Sequence, residues 1–113
     1  WQQDKILDDQ ALVIRTSQGI VVVSGCAHAG LINTLKHVQM LTGEEKIHAF
    51  LGGTHLNGAS SDRIKRTIEA LMEFDLDVVG AGHCTGFAAS VALYNALSDK
   101  FACMPVGSVF ELE

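Results

Sequence analysis

The sequence predicts an α/β fold, a sheet packed with helices, on three observations. Short apolar runs rich in β-branched residues recur along the chain, stretches of helical periodicity separate them, and Gly-rich loops mark most of the changes. Residues 11–16 (ALVIRT) and 20–24 (IVVVS) flank Ser17-Gln18-Gly19, whose Gly suits a positive φ, and read as a β-hairpin. The second run is apolar on both faces, as expected of a strand covered on two sides. Residues 25–30 (GCAHAG) are too Gly-rich to extend it. Leu31, Leu35, Val38 and Leu41 then follow at helical spacing, and Gly43 closes that helix. Residues 46–51 (KIHAFL) form a predicted strand ended by Gly52-Gly53. A second helix is expected from about residue 61 to 74, with Ser60 or Ser61 as N-cap and Ile64, Ile68, Leu71 and Met72 as its buried stripe. Residues 77–80 (DVVG) are a short strand, 87–97 a third helix, and 101–104 and 108–112 closing strands. No internal repeat or linker interrupts this order, so residues 1–113 read as one unit.

Composition narrows the function classes. The 113 residues are 48% apolar with a single Pro, enough for a real core and against disorder. Net charge is −5, and Lys65-Arg66 is the one adjacent basic pair, set in a helical pattern that reads as a solvated face, so a nucleic-acid partner is disfavoured. No apolar run has the length of a membrane span and no segment resembles a signal peptide, so no membrane partner is expected either. Three cysteines without a CxxC pair point to a reducing, cytoplasmic setting rather than a disulfide framework. The chain begins at Trp1 without Met and opens on a polar stretch, which gives it the look of a fragment.

The chemistry gathers in three loops, each directly after a predicted strand. They hold Gly25-Cys26-Ala27-His28, Gly52-Gly53-Thr54-His55, and residues 81–86 (AGHCTG) with His83 and Cys84. Loops at the C-terminal ends of strands converge on one edge of an α/β sheet, where ligands bind. Each loop presents an imidazole and two present a thiol, which are the donors of zinc or iron sites, and neighbouring glycines let the backbone turn sharply. A lone His after a strand is more often a hydrogen-bonded loop residue, and Cys26 and Cys84 can equally be small buried apolar residues. His37 and His48, in a helix and a strand, read as structural or exposed, and Cys103 reads as core. A thiol nucleophile, from Cys26 with His28 or from His83 with Cys84, is a separate alternative. Thr85-Gly86 leads into the third helix, where an anion such as phosphate can bind, or where Thr85 simply caps.

The run IVVVSGCAHAGLINTL, then KIHAFLGGTHL before a helix, then GAGHCTG, resembles the C-terminal half of metallo-β-lactamase-fold metallohydrolases. Within them the resemblance is to the subgroup of 7,8-dihydropterin-6-methyl-4-(β-D-ribofuranosyl)aminobenzene-5'-phosphate synthase, and it spans roughly residues 11–112. It implies half of an αββα sandwich, a mixed sheet with helices packed on it and a metal site at one sheet edge. His83 matches the superfamily's final metal-binding His. Cys26 stands where many relatives carry a metal-bridging Asp, and His28, two residues on, is the favoured ligand because the subgroup shares the GC-x-H pattern. His55 belongs to the same pattern as a metal or substrate contact. The HxHxDH motif of the N-terminal half is absent from these residues, so the isolated chain is expected to hold at most a weak, incomplete site and to expose the sheet face that the other half covers.

The function implied is that of a metal-dependent hydrolase in the full-length protein, with one or two zinc ions, or iron or manganese, activating water against an ester, lactone or phosphate-bearing small molecule. A dihydropterin/ribofuranosylaminobenzene phosphate synthase-like reaction is the named variant. His28 and His83, then Cys26 and His55, are the expected metal ligands, and Thr85, Gly86 and His55 the expected anion or substrate contacts. The alternatives are a non-catalytic binding or assembly module, completed by the missing half or a second copy, and a Cys26-dependent thiol enzyme.

Overall fold

A computed structural model describes residues 7–112. Strands β1 (Ala11–Thr16) and β2 (Gly19–Ser24) form the hairpin, followed by α1 (Leu31–Thr42), β3 (Ile47–Gly53), α2 (Ser61–Leu71), β4 (Val78–Gly82), α3 (Phe87–Leu97) and β5 (Phe101–Met104). Short 3₁₀ turns at His83–Thr85 and Ser98–Lys100 join the last elements. The sheet runs in sequence order, β1 through β5, with β1 antiparallel to β2 and every later pair parallel. Three successive parallel crossovers that never reverse direction place their helices on one face of the sheet. There Val22, Phe50, Val79 and Ala81 meet Leu35, Ile68, Leu71 and Leu93 in the main core.

Local chemistry sets the boundaries. Ser60 caps α2, its hydroxyl accepting from the Arg63 amide, and Gly43 closes α1 in the left-handed conformation. The expected stripes hold except at their C-terminal ends, where Leu41 and Met72 lie past the reach of the sheet and are 67% and 62% exposed.

Two expectations fail. Residues 108–112 form no strand: Pro105 and Gly107 (φ 93) open a turn in which the Ser108 amide and hydroxyl both bond the Pro105 carbonyl, and the chain leaves the sheet. Phe110 instead lies on the face opposite the helices, over Gly80 and beside the small cluster of Val21, Ala49 and Leu51. Cys103, expected in the core, is exposed. It sits on the edge strand β5, which pairs only with β4 among the described residues.

At the opposite end of the sheet from the Gly-rich loops, Asp77 ties two strands together. Its carboxylate lies 2.7 Å from His48 Nδ1 and 3.1 Å from Lys46 Nζ, and its amide donates to the His48 carbonyl. Those partners hold the Asp77 carboxyl below the ordinary value of 3.8, His48 first and then Lys46, while Lys46 is raised by the same contact. A depressed carboxyl contributes stability above its unfolded pKa and loses it as pH falls through the folded one. Asp77→Asn is therefore expected to cost no more than about 1 kcal/mol near neutrality, because the pair is half exposed and screened. The gap to the wild type should close in acid, below the ordinary carboxyl range. Urea melts across that range check it, and a gap that does not change with pH counts against the assignment.

Candidate metal centre

Because β2, β3 and β4 are parallel and in register, with Ser24 opposite Gly52 and Gly53 opposite Gly82, their following loops start level at one sheet edge. The Gly53 amide donates to the Gly25 carbonyl at 2.9 Å and laces the first two loops. The third is fixed by Thr85, wholly buried, whose hydroxyl donates to the Gly82 carbonyl at 2.7 Å and accepts from Thr54 at 3.0 Å. With these anchors in place, Cys26 Sγ lies 3.0 Å from His83 Nε2, and Cys84 Sγ joins them with all three donor atoms within 4.8 Å of one another.

Backbone strain concentrates at this edge. Ala27, His55 and His83 all take φ of 51–52°, a left-handed conformation costing about 1–3 kcal/mol for a residue with a side chain. One such residue falls in each loop. Strain of this kind persists only where the surroundings enforce it, and it marks functional sites.

The remaining histidine positions divide. His28 and His55 are exposed at the mouth of the cluster, their rings edge to face with centroids 4.8 Å apart, and His28 Nδ1 stands 3.6 Å from an Asp8 carboxylate oxygen. The structure thus brings His83 to Cys26, and His28 to His55, but does not bring His28 into the donor cluster. Ala27 is the reason: its left-handed φ turns the chain between Cys26 and His28. Cys84 is the donor that sequence reasoning left outside the metal set, although its place beside His83 in a glycine-framed loop was the available signal. Thr85 does not cap α3 with its side chain, and Gly86 occupies the cap position with φ 76. His37 is exposed on α1, and His48 is half-buried against Asp77.

No family model matches the chain. It is 33% identical over 108 residues to 7,8-dihydropterin-6-methyl-4-(β-D-ribofuranosyl)-aminobenzene-5'-phosphate synthase of Methanocaldococcus jannaschii, covering 96% of this chain and 37% of that protein. An uncharacterized protein of the same organism is 31% identical over 91 residues, 80% of this chain and 32% of its own length. The chain therefore spans about a third of the curated relatives it matches. The crystal structure of a metal-dependent hydrolase of the β-lactamase superfamily superposes with a TM-score of 0.85 at 34% identity, over 98% of this chain and 43% of the other. The chain has the fold of one part of that β-lactamase-superfamily hydrolase. The mixed five-stranded sheet with helices packed on it is the matching part of that fold.

The donor chemistry at the sheet edge fits a metal. Imidazole and thiolate are ordinary ligands of divalent cations. Desolvation, the Cys84 thiol, and the Asp9 and Asp8 carboxylates hold the Cys26 thiol above its ordinary value of 9.0. A cation at the cluster would reverse that balance, and the thiol proton would be released as it binds. A cleft of about 780 Å³ lies beside the cluster rather than on it, between the hairpin and α1, with Asp9, Ala27, Asn33 and His37 in its walls. Among the described residues, the cleft walls bring no comparable group of donors together.

Proposed function

We propose that this chain forms one side of a metal centre in a metal-dependent enzyme of hydrolytic type, acting on a small, anionic, phosphate-bearing molecule. The observation that carries this reading is the 3.0 Å approach of Cys26 Sγ to His83 Nε2 at the C-terminal edge of parallel strands. Cys26 and His83 hold the metal. When bound, the metal supplies Lewis-acid polarisation and brings the pKa of water toward neutrality. Zinc or iron suits the nitrogen and sulfur donors better than manganese. The exposed imidazoles of His28 and His55 flank the mouth, where they can exchange a proton with a reacting group or meet an anionic one. Since the Thr85 hydroxyl is committed inside the fold, an anion at the start of α3 would be met by backbone amides after Gly86 and by His55.

Hydrolysis is the first choice of reaction, on the likeness to the metal-dependent hydrolase. The synthase-like condensation is the second, on the 33% identity to the protein of that name, whose name carries a 5'-phosphate. The three free thiols suit a reducing, cytoplasmic compartment, and further donors would come from outside residues 7–112 or from a second copy. Metal analysis of the reduced protein, followed by assays on phosphate esters and lactones with and without a chelator, tests the reading. Bound divalent metal and chelator-sensitive turnover are expected. The thiol–imidazole contact favours one rival, a Cys26 nucleophile, and turnover that survives complete metal removal but not Cys26→Ser would establish it instead.

A further inference from the structure

Cys84 does not sit as a core thiol sits. It belongs to neither apolar cluster, and its sulfur accepts the His55 amide at 3.2 Å and lies 3.5 Å from the Cys26 carbonyl. Room for it exists because residue 53 is glycine: a Cβ there would stand 2.7 Å from the Cys84 sulfur. Consecutive side chains normally diverge, as they do along a strand. His83 and Cys84 converge because His83 takes φ 51 at the head of a 3₁₀ turn, which swings both side chains to the same side of the sheet edge.

We infer that Cys84 is a third metal ligand beside Cys26 and His83, giving this chain a Cys₂His donor set that selects thiophilic divalent cations over oxygen-seeking ones. The inference rests on the reading that these loops bind metal. Geometry supports it: the His55 amide fixes the Cys84 sulfur at 3.2 Å, and that sulfur, the Cys26 sulfur and the His83 ring nitrogen all lie within 4.8 Å of one another. Hardness supports it too, since a site with two sulfurs and one imidazole, and no carboxylate among the clustered donors, suits zinc, cadmium or cobalt and not manganese or magnesium. Each thiol gives its proton to solvent on binding, and no redox change is involved.

The test uses the reduced chain with metal ions alone. Alkylation of each cysteine is followed by peptide mass spectrometry with and without zinc, and the exposed Cys103 serves as the internal reference. Zinc is expected to slow alkylation of both Cys26 and Cys84 by about ten-fold or more and to leave Cys103 unchanged, while manganese protects none of them. Cadmium should give a sulfur-to-metal charge-transfer band that Cys84→Ser reduces to about half, as expected when one of two thiolate ligands is lost. Protection of Cys26 alone, with an undiminished band in Cys84→Ser, overturns the role of Cys84 and leaves metal binding standing. No protection of either thiol and no band in the wild type overturns metal binding itself. A Cys26–Cys84 disulfide that persists in the reduced, metal-treated chain also overturns the inference.

Discussion

His83→Ala is expected to remove metal binding while leaving the fold in place. Among the described residues the imidazole supplies the cluster's only nitrogen donor, and its Nε2 lies 3.0 Å from the Cys26 sulfur. Altering a residue that merely supports a ligand costs about 10–100-fold in affinity, so loss of the ligand itself should cost at least about 100-fold. The fold should survive because His83 is exposed and belongs to neither apolar cluster. Alanine keeps the backbone strain at φ 51, whereas His83→Asn relaxes it, since Asn tolerates the left-handed region. The pair therefore separates ligand loss from backbone effects: both variants should lose metal, and Asn should be the more stable. Competition against a chromophoric chelator measures the first quantity and thermal melting the second. Affinity within two-fold of wild type in both variants would remove His83 from the site.

Gly53→Ala should damage stability and site together. A Cβ at this position meets the Gly25 carbonyl oxygen at 2.6 Å, the Cys84 sulfur at 2.7 Å and the Cys26 Cα at 3.1 Å. The Cys84 side chain can rotate away, but the Gly25 carbonyl accepts the Gly53 amide and cannot yield without breaking the lacing between the first two loops. Overpacking of this kind costs about 1–3 kcal/mol, and here the upper half of that range is expected because two of the three contacts are backbone. Metal affinity should fall as well, since relief of the clash displaces Cys26, Cys84 or both. Gly25→Ala is the control: a Cβ there meets nothing within 4 Å, so its effect should stay within about 0.5 kcal/mol. Equal stability of the two variants in denaturant melts would show that the loops are looser than described.

Much of the fold is legible in the chain because local signals and tertiary structure agree. The Ser17-Gln18-Gly19 turn, the Ser60 cap and the glycine after α1 each fix a boundary by their own backbone chemistry. Residues 108–112 show why agreement fails. They carry the apolar Val109, Phe110 and Leu112 that suit a strand, but Pro105 and Gly107 turn the chain away from β4 and β5, and Phe110 finds apolar cover on the other face. The site was legible at the level of loops: three strand ends, each with an imidazole. Which side chains meet was not, because that depends on positive φ at Ala27 and His83, and neither residue type announces such a conformation. Ala27 turns His28 toward His55, and His83 brings Cys84 inward.

The donors also differ greatly in their distance along the chain. Cys26 and His83 are 57 residues apart, with all of α1, β3, α2 and β4 between them. Their meeting requires the central strands to be aligned already, so the cluster cannot exist in a partly formed sheet, and loop-closure entropy opposes any earlier encounter. A cation held there clasps the strands after folding and does not guide them into place. Added metal should therefore lengthen the lifetime of the native chain by slowing its unfolding, and leave the rate of folding almost untouched.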